Sequence, residues 1–596
     1  MVFAIIYGGY LSYFPNESIS FAKTYLNDYN FNKQNEFYLK GILSSPITAQ
    51  IYIPYFFLKI GINEEILNRA WSSLTCFVSM ISIFYFAKTI TKSNFYSILV
   101  SLIFLSHKFI NTHYYSIHYP VSFFYFGQMG MYMTLLSISL LLNYKKDASI
   151  SVFIINFFCH ASWGIFNFIF LLFYFFLKKI YFKINLLHFL TVFILLLVTV
   201  WGHLDHKKNL DNQIQDSLQK FDRFKISESQ EEKGLKLSKN ELIDKRAYLK
   251  SHNPFFDNIT NIKNFVFEIF KFIFFEILLI VLFFTFKNFL SKDFATLIKI
   301  LIFLTFSILI FRFIIFENYL FLNLITNINI KIPMLLDRMI ISRYLNLNSL
   351  IVLIFPISIL FYFASIEKNI SIRFFLSLYF FVFSVSLLFN SFVISEHLPI
   401  IKVEKIVHNF LLYFTFPAAC FYFLIQSKVE KIFNHGKIIN KFYKMSVISF
   451  FVLNVIYFPI AKSITNKNFF SNINSDFKKI ASKKNNEIIT SSFVHGYIDV
   501  MYLSKSPIIL PMFSIKNIDN SRQVNIYCED EINSPFVESN DYFRFIEECF
   551  EKRKKETWLT YYQDLGLNYV VTRNYLKLDL DLISSNNFVN IYKIKN

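Results

Sequence analysis

Glycine is scarce in this chain, 12 of 596 residues, as are proline (13), cysteine (5) and tryptophan (4), and charged residues make up only 17%. So little glycine and proline excludes collagen-like and low-complexity chains, and five cysteines do not make a disulfide scaffold. The low charge excludes a disordered chain. The sequence also lacks a phosphate-cradling glycine loop, a Cys-x-x-Cys pair, His-Glu-x-x-His and Gly-x-Ser-x-Gly. Nucleotide hydrolysis and the familiar hydrolase triads are therefore unsupported. What is present is apolar: 54% hydrophobic, 20% aromatic, 79 Phe, and a mean hydropathy of +0.42. A single soluble core stops growing at roughly 250–300 residues, so a 71.0 kDa chain of this kind needs lipid around it. AT-rich codons account for part of the Phe, Ile, Lys, Asn and Tyr.

Apolar runs long enough to span a bilayer begin with Val2–Phe14, which is short, and continue with Trp71–Ile90, Phe95–Ile110, Val121–Asn143, Ser149–Trp163, Gly164–Leu177, Ile184–Gly202, Asn264–Phe286 and Phe294–Phe316. Ser349–Ser365, Ile372–Ile394, Asn409–Gln426 and Met445–Ala461 complete the set. The expectation is an all-α polytopic membrane protein of about thirteen transmembrane helices, with a small C-terminal α/β domain. The first run has no basic leader and no small-residue cleavage site, so it reads as a retained span.

The net charge of +19 raises the question of nucleic acid, and its distribution answers it. Alternate connections (87–94, 144–148, 178–183, 287–293, 366–373, 427–444) carry sixteen Lys or Arg against four acids. Segment 203–262 carries eleven basic and ten acidic residues, and the tail 462–596 carries eighteen and sixteen. The positive-inside rule makes the six basic connections and the N-terminus cytoplasmic. Loops 15–67 and 203–262 and the tail are then exterior, and a bacterial inner membrane is the expected setting. The partners are membrane lipids, not nucleic acid. Two domains follow: a transmembrane body, 1–461, and a periplasmic α/β domain, 462–596.

In the tail, Glu487–Thr490, Pro507–Leu510, Asn568–Thr572 and Phe588–Ile594 read as strands and Tyr542–Lys555 as a helix. Cys528 and Cys549 lie there and are able to pair in an oxidising compartment, whereas Cys76, Cys159 and Cys420 sit in apolar spans as packing residues. Residues 207–240 read as a solvated, mobile loop. Mid-span ionisable groups are few: Glu268, Lys271, Glu276, Lys299 and Arg312. On the first helix of this group, an internal ion pair accounts for Glu268, Lys271 and Glu276 as well as a proton relay does.

The first exterior segment, Phe14-Pro15-Asn16-Glu17-Ser18-Ile19-Ser20-Phe21-Ala22-Lys23-Thr24-Tyr25-Leu26-Asn27-Asp28, places Ile19, Ala22 and Leu26 at helical spacing. A short helix on the membrane surface is expected. Glu17 also suits a helix N-terminus, and Asp28 a turn.

This segment resembles that of the polytopic glycosyltransferases of the C-type fold (GT-C), which use lipid-phosphate-linked sugars. Asn16-Glu17 stands where many members carry Asp-Glu, so Asn16 replaces the acid most often assigned as base. The resemblance implies an enzyme that moves a sugar from a polyprenyl-phosphate donor to a glycan or lipid acceptor on the exterior face. The base would be Glu17, Asp28 or Glu36, because an acceptor hydroxyl must lose its proton to a carboxylate. Cations must meet the departing phosphate, and Arg338 and Arg343, then Arg246 and His252, are the candidates. His160, in His-Ala-Ser-Trp-Gly, breaks a long apolar run and suits a re-entrant corner that hydrogen-bonds substrate or backbone. Some members use a divalent metal ion, but His107, His113, His118, His160, His203 and His206 show no metal-ligand spacing, so no metal ligand is assigned. A polysaccharide polymerase or ligase, and a non-enzymatic lipid or glycan transporter, are the alternatives.

Overall fold

The computed structural model describes residues 8–9, 16, 18–19, 22, 26, 48–106, 126–179, 185–218, 262–310, 344–365, 369–392, 407, 410–422, 436–457, 460, 488–491, 508–509, 550–565, 567–585 and 589–595. The protein is mostly helical. Its helices are α1 (Ala49–Lys59), α2 (Glu64–Thr91), α3 (Asn94–Ser106), α4 (Phe126–Leu142), α5 (Lys146–Cys159), α6 (Ala161–Lys178) and α7 (Leu186–Leu218). There follow α8 (Ile262–Phe286), α9 (Lys292–Ile310), α10 (Leu345–Ser365), α11 (Ile370–Phe392), α12 (Phe410–Tyr422) and α13 (Gly436–Val452). Among the described residues, six helices are long and apolar enough to cross a membrane, in α2, α6, α7, α10, α11 and α13. Four shorter apolar helices lie in α3, α4, α8 and α12.

Gly61 turns the connection between α1 and α2 at a φ of 89°, but three other turns are made without glycine. Lys92, Tyr144 and Lys179, which follow α2, α4 and α6, take left-handed φ values of 56°, 62° and 51°. A side chain in that conformation costs about 1–2 kcal/mol, and in these turns lysine or tyrosine bears it. The lysines suit the site, because a cation at a helix C-terminus meets the negative end of the dipole. Lys145 Nζ donates to Tyr85 Oη at 2.9 Å, and Lys178 pairs with Asp293 at 2.6 Å.

Lipid gives apolar helices no reason to prefer one another, so small residues and polar bonds set the packing. Ser149 Oγ donates to the Ser137 carbonyl at 2.7 Å, and Asn156 Nδ2 to Thr134 Oγ1 at 2.9 Å, joining α4 to α5. The α5–α6 pair folds back sharply: a Cβ on Gly164 would lie 2.4 Å from Phe157 Cα, so only glycine permits this approach. The rings of Phe153 and Phe168 stack at 5.8 Å further along the same pair. α10 packs against α2, α3, α8 and α11, and Pro356 sits inside it.

The C-terminal part has β1 (Ile488–Ser491), β2 (Ile508–Ile509), α14 (Lys555–Leu565), β3 (Leu567–Arg573), β4 (Asp581–Ser585) and β5 (Val589–Lys593). The sheet order is β2-β1-β3-β5-β4, with β1 parallel to β2 and β3, and β5 antiparallel to β3 and β4. Tyr569↔Lys593 through Arg573↔Val589 fixes the β3–β5 register.

The structure changes several expectations. The expected break between spans at 163/164 falls at His160, whose φ of −149° and ψ of 88° leave the helical region. α7 continues through the charged residues to Leu218, where a mobile loop was expected, because 203–218 contains no glycine or proline to stop it. Of the helix expected at 542–555, residues 550–552 are helical, 553–554 are not, and α14 starts at Lys555; 542–549 lie outside the described residues. β4 was not anticipated, since Asp-Leu-Ile-Ser-Ser carries little strand signal and its residues are mostly exposed. The side chains of Glu268 and Lys271 lie outside the described residues. Glu276 is held by other helices, and among the described residues no cation pairs with it. Cys76 and Cys159 are buried thiols inside helices, whereas Cys528 and Cys549 lie outside the described residues.

Candidate functional site

Polar side chains converge at the bundle end where α1 meets the end of α7. Thr48 caps α1 in an extended conformation: its Oγ1 accepts from the Gln50 N–H at 3.1 Å and donates to the Cys159 carbonyl at 2.5 Å. One residue thereby satisfies an orphan helix donor and ties α1 to the end of α5. Tyr52, Tyr55 and Lys59 then fall three and four residues apart, on one face. That face meets α7. Tyr55 Oη donates to Asp205 Oδ2 at 2.5 Å, and Lys59 Nζ donates to the same oxygen at 2.6 Å. Tyr52 Oη lies 3.3 Å from His203 Nδ1.

The fit depends on Gly202. A Cβ there would come within 2.5 Å of the Tyr52 ring, so its absence lets the ring lie against the α7 backbone. Lys59 Nζ also stands 5.3 Å from the centroid of Trp201, which packs edge-on against Phe56. The Asp205 side chain is 20% exposed and that of Lys59 40%. Lys59 spends one of its three donors on Asp205 and has no other hydrogen-bond partner among the described residues, so it can meet an anion arriving from solvent.

The described residues of the first loop rest on α2 and α1. The Asn16 N–H donates to Asn68 Oδ1 of α2 at 2.7 Å, and Asn16 Oδ1 accepts the Ser18 N–H at 3.0 Å. Ser18, Ile19 and Ala22 are helical. Asn16 is thus a buried N-cap, which explains an amide at this position. Ile19 packs on Leu67 and Trp71, and Ala22 on Ile51, Tyr52 and Tyr55. The apolar face read as lying on the membrane surface is therefore buried in the protein.

The corner at His160 completes this end. His160 Nδ1 lies 3.0 Å from Ser162 Oγ, and the Ser162 carbonyl accepts from Tyr344 Oη at 2.8 Å. The Tyr344 ring stacks on Phe166 at 4.6 Å and meets Trp163 edge-on at 5.1 Å. Gly130 leaves room for the corner, since a Cβ there would lie 2.7 Å from the Trp163 ring and 2.9 Å from His160 Cβ.

Of the residues singled out in the sequence, His160 is described, at a corner as expected. Glu17, Asp28, Glu36, Arg246, His252, Arg338 and Arg343 lie outside the described residues. The described neighbours of two of them are nonetheless tied to this end of the bundle: Asn16 and Ser18 flank Glu17, and Tyr344 follows Arg343. Sequence reasoning missed Asp205, Lys59, Tyr52 and Tyr55. The detectable signal was the Tyr-x-x-Tyr-x-x-x-Lys stripe in a loop already read as exterior. Among the described residues no three His, Cys, Asp or Glu side chains converge as a metal site, and Asp205 is shared with an ammonium and a phenol, a poor cation ligand.

The chain matches no protein-family model and no curated protein. Among solved structures, that of ArnT from Cupriavidus metallidurans in the apo state is similar over 99% of this chain and 96% of that one, at 9% identity and a TM-score of 0.35.

Proposed function

We propose that this polytopic membrane protein is a glycosyltransferase that moves a sugar from a polyprenyl-phosphate donor to a glycan or lipid acceptor, at the bundle end holding Asp205 and Lys59. The observation that carries this reading is the convergence there of a carboxylate, a solvent-accessible ammonium and two phenols, beside the anchored Asn16. The charge pattern supports an exterior location: the short connections at the opposite end hold Lys88, Lys92, Lys145, Lys146, Lys178 and Lys179, and basic short loops stay in the cytoplasm. The N-terminus is then cytoplasmic and the C-terminal α/β part, 462–596, periplasmic.

The reaction makes opposite demands at two points. The acceptor oxygen bonds to the sugar's anomeric carbon while the bond from that carbon to the phosphate oxygen breaks. The hydroxyl proton goes to a carboxylate, for which Glu17, Asp28 and Glu36 are the candidates. The electron pair leaves with the phosphate, and cations stabilise it: Lys59 from the described site, with Arg338 and Arg343, and Arg246 and His252 as a second set. Asp205 and Tyr55 position the Lys59 ammonium, and His160 is placed to bond sugar hydroxyls.

The test uses purified protein in lipid vesicles, a panel of radiolabelled polyprenyl-phosphate sugars and membrane-extracted acceptors. Label should pass to an acceptor with the wild-type protein, and at least one of Glu17→Ala, Asp28→Ala and Glu36→Ala should abolish transfer while eluting as a folded species in detergent. Retention of full transfer by all three would end the first-loop assignment.

A further inference from the structure

Besides the α1–α7 cluster, the bundle interior holds a second carboxylate. Glu276 of α8 is fully buried. Asn348 Nδ2 of α10 lies 2.9 and 3.0 Å from its two oxygens, and Thr305 Oγ1 of α9 lies 2.8 Å from Oε2. Asn348 and Thr305 are themselves fully buried, so three helices meet at one acid. Among the described residues it has no cation. Its described neighbours supply none: Lys299 of α9 stands against the Phe283 ring, 5.9 Å away and two turns further along α8. α10 contains no charged residue. From α12, Tyr413 approaches through Phe275, with ring centroids 6.5 Å apart, and is uncharged.

A lone carboxylate in a membrane interior costs several kcal/mol, whereas a neutral carboxylic acid needs only an acceptor for its hydrogen. The geometry supplies one. Thr305 has a single hydroxyl hydrogen, and the Leu301 carbonyl lies 2.7 Å from its Oγ1. With that hydrogen on Leu301, Oγ1 is free to accept from Glu276, giving an unbroken chain from Glu276 through Thr305 to the α9 backbone. A metal cation fits less well, because Asn348 directs its amide nitrogen, a donor, at both carboxyl oxygens.

We propose that Glu276, Thr305 and Asn348 form an intramembrane proton-binding site, occupied in the folded protein, which joins α8, α9 and α10 through a neutral acid. It is independent of the transfer reaction. Because the folded chain then holds at neutral pH a proton that an unfolded glutamate has already released above about pH 4.3, stability falls as pH rises, and it does so through Glu276.

Infrared spectroscopy of the full chain in phospholipid vesicles at neutral pH tests this directly. The wild type should show a protonated-carboxyl C=O stretch that is absent from Glu276→Gln. Thr305→Val should keep the band at higher frequency, having lost the hydrogen bond. Loss of a carboxylate stretch instead, in Glu276→Gln, would overturn the proposal. Should Glu276→Gln fail to fold, the Thr305→Val shift decides alone, and an unshifted spectrum counts against the site. In folded protein, the fall in Tm between about pH 6 and pH 9 should be smaller for Glu276→Gln than for wild type. Parallel profiles, or a sodium-dependent rise in Tm that Glu276→Gln removes, would also overturn it.

Discussion

Asp205 and Glu276 are carboxylates on helices of one bundle, held in opposite ways. Asp205 ends a membrane-crossing stretch, is partly exposed, and shares one oxygen between an ammonium and a phenol. Glu276 is buried where three helices meet and, among the described residues, is held by an amide and a hydroxyl. The difference teaches what each environment can use. Where water reaches, a carboxylate can stay charged and hold a cation in place for an anionic substrate. Where it does not, the same group is better kept neutral, as a fastener between helices.

The contrast is broken most severely at the first site. Lys59→Ala should lower sugar transfer by about 10²–10³-fold, the usual loss when one donor to a developing anion is removed, while Glu276→Gln leaves transfer within about twofold; initial rates per folded protein in vesicles measure both. If the two variants lose transfer equally, the separation of roles fails. Next in size, Glu276→Ala should cost about 2–3 kcal/mol by stranding Asn348 and Thr305 in the interior, read as a lower Tm in detergent, and Asp205→Asn should cost much less because its surroundings are wet. Gly164→Ala should cost about 1–3 kcal/mol, since its methyl meets the Phe157 backbone at 2.4 Å; protease sensitivity near His160 would report it. Smallest, Thr48→Val removes the α1 cap for about 1 kcal/mol, and transfer should fall modestly as Lys59 loses its support.

Much of the helical plan was legible from composition. The runs 71–90 and 372–394 match α2 and α11 closely because a stretch of apolar residues in lipid must satisfy its backbone internally and so must be helical. Four of the five strands were legible from alternation and β-branching. A corner was legible in the His160 motif, but that the helix breaks at His160 itself rather than at 163/164 was not, because the Thr48 hydroxyl donates to the Cys159 carbonyl, a contact across 111 residues. Asn16 in the sequence stands in place of an acid, and only the structure shows its Oδ1 accepting the Ser18 N–H as a cap while its own N–H is held by Asn68. The pairing of Glu276 with Asn348 was equally hidden, since a helical wheel shows which way a residue points but not what another helix brings to meet it.

The sequence by itself determined that this is a multi-pass helical membrane protein with basic short connections and a C-terminal part of strands and helices. Hydropathy and charge act locally and can be summed along the chain. Only the tertiary structure decided which polar groups meet. Tyr55, Lys59 and Asp205 come from segments about 150 residues apart, as Glu276, Thr305 and Asn348 come from three helices. Their chemistry depends on distances of a few ångströms, set by how the glycines and small side chains let the helices approach.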